Sequence, residues 1–231
     1  MFKFLSLLVL AVCLTYGGIL YQPGIFFDNR FERGSFVIVS RSPTPVSAEL
    51  FMEKALDKLK NSQLYSEGRK FEVYVAASAE EYAFFAPFCR KAYACQHPFK
   101  DIIFMAPVNF EKGLVASPLD PKNKFALDKL LAREAVMLQM REKMGALTYA
   151  MAASWKKEGY SGQVIFSDDK ESNPSDICKS DAASSPYYDS YLNKLVVEYM
   201  MAEEKMDLDD ILFKDFDPEP IVKILKARYC S

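Results

Sequence analysis

An apolar helical segment with an arginine and a glutamate at its centre is the feature that most constrains how this chain can fold. It runs Leu130-Leu131-Ala132-Arg133-Glu134-Ala135-Val136-Met137-Leu138, and Trp155-Lys156-Lys157-Glu158-Gly159-Tyr160 follows in the next stretch of chain. A charged pair in an amphipathic helix ordinarily lies at its solvated edge, whereas a buried cation needs a carboxylate partner. The segment therefore predicts either a solvated Arg133–Glu134 edge or an Arg133 that is buried against Glu134 or Glu158.

The order and spacing of these two segments resemble the signature of gluzincin-type zinc metallopeptidases, the peptidase MA-like group. Those enzymes carry His-Glu-x-x-His on one helix and a third ligand, Glu, on the next, often within Trp-x-x-Glu-Gly-x-Ala. The resemblance places Arg133 and Met137 at the two histidine positions, Glu134 at the general-base position and Glu158 at the third-ligand position. The second motif is further supported by Trp155, Gly159 and Tyr160.

The residues at the ligand positions argue against a zinc site. Arginine is always cationic and has no lone pair to donate, and a methionine thioether is a soft ligand that suits hydrolytic zinc poorly. The only histidine of the chain is His97. We therefore expect no zinc, no other cofactor and no catalytic residue, with Glu134 left as a degenerate general base. In the vacated metal position, Arg133 is expected to pair with Glu158 or Glu134.

The N-terminus is predicted to be a membrane element. Residues 4–21 are uncharged and mostly apolar, and Lys3 precedes them. This length lies between a signal-peptide core and a membrane-spanning helix. Because Leu14-Thr15-Tyr16-Gly17-Gly18 fits a cleavage site poorly, we expect an uncleaved, single-pass signal anchor with the domain on the extracytoplasmic side. Cleavage, which would give a secreted protein, is the alternative.

Export makes disulfides the expected state of the cysteines. Apart from Cys13, four remain, and four cysteines allow three connectivities. The simplest pairing joins Cys89 to Cys95 and Cys178 to Cys230. A zinc site made by Cys89, Cys95 and His97 is the alternative, but its spacing matches no common zinc motif and a fourth ligand is absent.

Length and pattern predict one α+β domain. The chain has 231 residues and a net charge of −2, which argues against nucleic-acid binding. We expect a signal anchor or signal peptide at 1–22, a connector at 23–34 and a single exported domain at 35–231. Predicted strands are 35–40, 71–76, 101–106 and a short edge strand at 113–116. Predicted helices are 45–61, 79–85, 124–144, 147–159, 187–202, 207–212 and one from 217, with loops at 86–100 and 167–185.

The resemblance implies a zincin-like architecture, in which a small twisted mixed sheet packs on a central helix pair. The function expected from it is a membrane-anchored, catalytically inactive protein that binds a peptide or protein partner at an edge strand, a mode that needs no metal. Two alternatives stay open. One is a hydrolase that uses Glu134 and Glu158 with an atypical metal or with none, and the other is an unrelated exported structural domain.

Overall fold

The fold is α+β, with helices making up about half of the chain and a mixed sheet at its centre. The computed structural model describes residues 2–167, 173–179 and 185–230. The helices are α1 Phe2–Tyr21, α2 Ala48–Lys60, α3 Ala79–Phe85, α4 Leu127–Met144, α5 Ala146–Met151, α6 Ser154–Ile165, α7 Tyr188–Ala202, α8 Leu208–Phe213 and α9 Glu219–Tyr229. The strands are β1 Asn29–Arg33, β2 Phe36–Ser40, β3 Phe71–Val75, β4 Ala94–Gln96, β5 Ile102–Met105, β6 Val108–Asn109, β7 Leu114–Ala116 and β8 Lys124–Ala126.

The main sheet has the strand order β1-β2-β3-β5-β4. Its three central strands are parallel, and the two edge strands, β1 and β4, run antiparallel to their neighbours. Strands β2 and β5 are buried along their whole length, as expected for central parallel strands that are covered on both faces. A second, antiparallel sheet has the order β6-β7-β8, and its last strand leads directly into α4.

The helices build the rest of the core around α4. Helix α4 packs against α2 on one side and against α6 on another, and α6 packs most extensively against α7. Helix α3 begins as its sequence predicts: the Ser78 side chain accepts a hydrogen bond from the Glu81 amide, and the Glu81 carboxylate accepts one from the Ala77 amide. This reciprocal capping satisfies amides that a helix start otherwise leaves unpaired.

The described contacts between helix α1 and the domain include Tyr16, Ile19, Leu20 and Tyr21, in the C-terminal part of the helix. Leu7, Leu10 and Leu14 are exposed, whereas Tyr16 donates a hydrogen bond to the Phe84 carbonyl over 2.6 Å. Within the part of the chain that is described, none of the helices combines the length and apolarity that a bilayer crossing requires. The predicted signal anchor is therefore unsupported by the fold and stays a prediction.

Several predicted elements differ from the observed ones. The connector contains a 3₁₀ helix, Pro23–Phe26, and the edge strand β1, and the loop predicted at 86–100 contains β4. The segment predicted as an edge strand at 113–116 is β7, the middle strand of the second sheet. Residues 124–126, predicted as helix, form β8, while the helix predicted at 147–159 is two helices, α5 and α6. The predicted loop 167–185 includes 168–172 and 180–184, which lie outside the described residues, and a 3₁₀ helix, Pro174–Cys178.

Both predicted disulfides are confirmed. Cys89 is bonded to Cys95 with their Cα atoms 5.7 Å apart, and Cys178 is bonded to Cys230 with their Cα atoms 5.4 Å apart. The first bond joins the loop after α3 to the middle of β4. The second ties the end of α9 to the 3₁₀ helix before α7.

Candidate functional site

The guanidinium of Arg133 lies between the two carboxylates that the sequence singled out. Its Nε donates to Glu158 Oε2 over 3.3 Å, one terminal nitrogen donates to Glu158 Oε1, and the other donates to Glu134 Oε1. Arg133 stands in the second turn of α4 and Glu158 in the second turn of α6, so the ion pair joins these two packed helices. The predicted pairing of Arg133 with Glu134 and Glu158 is thus present, and the predicted alternative of a solvated pair is not.

This ion-pair cluster is largely removed from water. The side chain of Glu134 is 4% exposed, and those of Arg133 and Glu158 are 20% and 22% exposed. Burial by itself lowers the pKa of Arg133, but the charges of Glu134 and Glu158 outweigh that effect and raise it above its ordinary value. Burial raises the pKa of Glu134, and the contacts with Arg133 and Gln96 only partly oppose this rise.

Two further side chains complete the hydrogen bonds of the carboxylates. Ser190 on α7 donates to Glu158 Oε2 over 2.6 Å, and Gln96 on β4 donates to Glu134 Oε2 over 3.2 Å. All four oxygens of Glu134 and Glu158 therefore accept at least one hydrogen bond. These bonds hold both carboxylates in fixed positions, and the 4% exposure of Glu134 limits its contact with water.

The approach of α7 to the site depends on two glycines of α6. A Cβ atom at Gly159 would lie 2.7 Å from the Asn193 carbonyl oxygen, and one at Gly162 would run into the Ser190 carbonyl oxygen. Side chains at either position would hold the helices apart and withdraw Ser190 from Glu158. Gly159, predicted to end its helix, instead lies in the middle of α6, where it permits this close packing.

The remaining motif residues are buried around the ion pair. Met137, one turn beyond Arg133 on α4, is 6% exposed and Trp155 is 8% exposed. Tyr160 is 2% exposed, and its hydroxyl lies 3.0 Å from Ser62 Oγ, which ties α6 to the end of α2. Burial, reinforced by the charge of Glu134, raises the pKa of Tyr149 on α5. Among the described residues, no three His, Cys, Asp or Glu side chains come together as a metal site would need.

Strand β4 contacts α4 at the ion pair and is an edge strand of the main sheet. The amide of His97 donates to the Ile102 carbonyl, and the amide of Ala106 donates to the Tyr93 carbonyl. Because antiparallel pairs alternate along a strand, residues 93, 95 and 97 direct their backbone groups toward β5. Ala94 and Gln96 direct theirs outward, where no described strand pairs with them. This edge of β4 thus lies beside the cluster, held to it by the Gln96 side chain, and Ala94 on it is 8% exposed.

The sequence analysis missed Gln96, Ser190, Tyr149 and Gly162. Gln96 was assigned to a loop, and Ser190 stands 32 residues from Glu158 with no spacing signal that links them. The one signal for Ser190 was the predicted tyrosine-rich helix from Tyr187, which the resemblance places after the helix with the third ligand position.

Comparison of the chain with protein-family models, with curated proteins and with solved structures finds no match in any of the three.

Proposed function

We propose that this chain is a membrane-anchored protein with a zincin-like, metal-free site that binds an extended peptide or protein segment along β4 without cleaving it. The observation that carries the proposal is the position of Arg133. It stands at the first ligand position of the resemblance and bonds to the residues at the general-base and third-ligand positions, beside the edge strand β4.

The contacts of the carboxylates favour binding over hydrolysis. A hydrolytic zinc site needs lone pairs at positions 133 and 137, and neither side chain there supplies a suitable donor. Metal-free hydrolysis by Glu134 and Glu158 would need a carboxylate with good access to water, yet Glu134 is 4% exposed and Glu158 is held by Arg133 and Ser190. A divalent ion would also meet the positive charge of Arg133.

The outward edge of β4 is the proposed binding edge. Ala94 and Gln96 each direct one N–H and one C=O away from β5, so a peptide that reached this edge could form up to about four backbone hydrogen bonds. Each contributes roughly 0.5–1.5 kcal/mol net. The edge alone therefore gives weak binding, and side-chain contacts or a high local concentration of the partner must supply the rest.

Selection of peptides against the full chain in detergent micelles, followed by fluorescence polarisation, tests this edge. The probe is a random dodecapeptide library displayed on phage. We expect the selected peptides to lose about tenfold in affinity on Ala94→Pro, since loss of the outward N–H removes one backbone bond and the ring obstructs its neighbour. Ala94→Val, which enlarges the side chain but keeps the N–H, is the matched control. Equal affinity for Ala94→Pro and wild type would reject binding at β4.

The contacts of α1 favour an uncleaved N-terminal segment. Lys100 Nζ donates to the Tyr21 carbonyl over 2.6 Å and lies 3.7 Å from the centre of the Tyr21 ring. Partly buried Ile19 and Leu20 pack against the core. Cleavage between about Gly17 and Gln22 would remove the Tyr16–Phe84 contact, and cleavage just before Gln22 would remove these contacts as well. N-terminal sequencing of the native protein tests the point: a start upstream of Tyr16 supports an anchor, whereas a start after it indicates a secreted protein.

A further inference from the structure

His97, the only histidine of the chain, is buried where several parts of the fold meet. The centre of its ring lies 6.1 Å from that of Tyr21, the last residue of α1, and 6.4 Å from that of Phe104 on β5. Its backbone amide donates to the Ile102 carbonyl over 2.8 Å, and Arg141 of α4 donates to its carbonyl. His97 thus connects α1, α4 and the turn between β4 and β5.

The ring takes part in these contacts as a neutral group. Its Nδ1 accepts a hydrogen bond from the Phe99 amide over 3.1 Å, so Nδ1 carries no proton and the single ring proton is on Nε2. A second proton can enter the ring only at Nδ1. There it would displace the Phe99 N–H and place a positive charge on a residue that is 4% exposed.

The charged groups around the ring oppose its protonation. Lys100 in the turn and Arg141 on α4 are cationic, and Tyr21 brings an uncharged ring. The carboxylate of the turn, Asp101, has one oxygen bonded to Arg141 and the other to a second arginine. Burial, reinforced by Lys100 and Arg141, accordingly lowers the pKa of His97 below its ordinary value of 6.5.

We propose that His97 is a pH-sensitive contact, whose protonation at Nδ1 opens the turn between β4 and β5 and releases the C-terminal end of α1. The two movements are linked because the turn also holds α1. Lys100 Nζ donates to the Tyr21 carbonyl over 2.6 Å and lies 3.7 Å from the centre of the Tyr21 ring. In the open form the ring is hydrated, so this form binds the added proton better and acid increases its population. The inference does not depend on peptide binding at β4.

The ordinary pKa of an exposed histidine limits the size of the response. The closed form binds the proton only below its lowered pKa, whereas the open form binds it below about 6.5. The ratio of open to closed chains therefore increases by at most about tenfold from pH 7.5 to pH 5.5. Glu134 has the opposite effect, because its raised pKa makes the fold more stable as the pH falls. The two groups can therefore be distinguished by the direction of the response.

Hydrogen exchange of the full chain in mild detergent, followed by mass spectrometry, measures the opening. The rates are corrected for the intrinsic pH dependence of amide exchange. We expect the amides of residues 97–102 and 19–22 to lose protection severalfold, up to about tenfold, from pH 7.5 to pH 5.5. The amides of β2 and β3 should keep their protection and serve as the internal control.

Two variants remove the titrating ring in different ways. His97→Gln can keep a side-chain acceptor for the Phe99 amide, and His97→Phe keeps an aromatic ring against Tyr21. Each folded variant should show the same protection at both pH values, whereas Glu134→Gln, the matched control, should keep the wild-type response. Nuclear magnetic resonance of the single histidine ring should give a pKa below 6.5.

Four results would overturn the inference. They are a ring pKa of 6.5 or above, unchanged protection of residues 97–102 in the wild type, opening of this turn without residues 19–22, and an acid response that persists in a folded His97 variant.

Discussion

Replacing Arg133 with alanine tests whether this side chain has taken over the structural role of a metal. The change removes three charge-assisted hydrogen bonds to Glu134 and Glu158, each worth roughly 1.5–3 kcal/mol. Water entry at Glu158 and the relief of burying a guanidinium offset part of this loss. We therefore expect Arg133→Ala to lower the free energy of unfolding by about 3–5 kcal/mol at pH 7, as for a buried pair that loses one partner.

Arg69→Ala is the matched control. The Arg69 side chain is about as buried as that of Arg133, but the carboxylates that pair with Arg69 are exposed. Arg69 is 15% exposed and pairs with Asp101 and Glu142, whose side chains are 51% and 70% exposed. These carboxylates regain water when the arginine is lost, so the cost should be only about 1–2 kcal/mol, including the contact with the Phe71 ring.

Urea unfolding of both variants, followed by circular dichroism at pH 7 and again near pH 4, measures these costs. At the lower pH the stranded carboxylates become protonated and need no cation, so the cost of Arg133→Ala should shrink there. Neutralising both partners in the same chain, with Glu134→Gln and Glu158→Gln, should recover much of the loss at pH 7. The reasoning is refuted if Arg133→Ala costs no more than Arg69→Ala, or if its cost is independent of pH.

Three further results are expected. Burial raises the pKa of Glu134 above 4.5 in the folded state. Between pH 4.5 and this raised pKa, the Glu134 carboxyl holds a proton in the folded protein but has lost it in the unfolded chain. The free energy of unfolding therefore decreases as the pH rises through that range. Urea unfolding should therefore show the wild type losing stability relative to Glu134→Gln as pH rises; a growing wild-type advantage would contradict this. The double variant Arg133→His, Met137→His should bind about one zinc per chain by elemental analysis, and adding Glu158→Gln should remove that zinc. A folded double variant that does not bind zinc would argue against positions 133, 137 and 158 as a set of ligand positions. Gly162→Ala should lower Tm, since its Cβ meets the α7 backbone, at a cost of roughly 1–3 kcal/mol; an unchanged Tm would show that α7 can shift.

Elements with a strong local signal could be predicted from the sequence. The apolar periodicity of 45–61 gave α2, the β-rich runs at 35–40 and 71–76 gave β2 and β3, and the Ser78 cap gave the start of α3. Each depends on residues close together in the chain. The cysteine pairing could be predicted in part, because four cysteines allow only three connectivities and the simplest of them is the one observed.

Elements defined by distant partners could not be predicted. Strands β1 and β4 are short edge strands, and β4 exists only because Ala94 to Gln96 pair with β5. Gly159 predicted a helix end because glycine destabilises the interior of a helix. In the structure it lies inside α6, because the backbone of α7 comes too close there for any larger residue. This contact depends on residues more than thirty positions away and leaves no signal in the local sequence. The break between α5 and α6 carries no proline or glycine to mark it.

Charge balance at the site links the ion pair to the binding edge. A zinc ion would bring two positive charges to Glu134 and Glu158, whereas Arg133 brings one. The cluster is therefore short of one positive charge when both carboxylates are ionised, and Glu134, the more buried of the two, relies on a neutral donor. That donor is Gln96, whose backbone forms part of the outward edge of β4. Glu134 thus holds in place the strand that we propose binds the partner. Losing Glu134 would therefore loosen this strand as well as leave Arg133 without one of its two carboxylate partners.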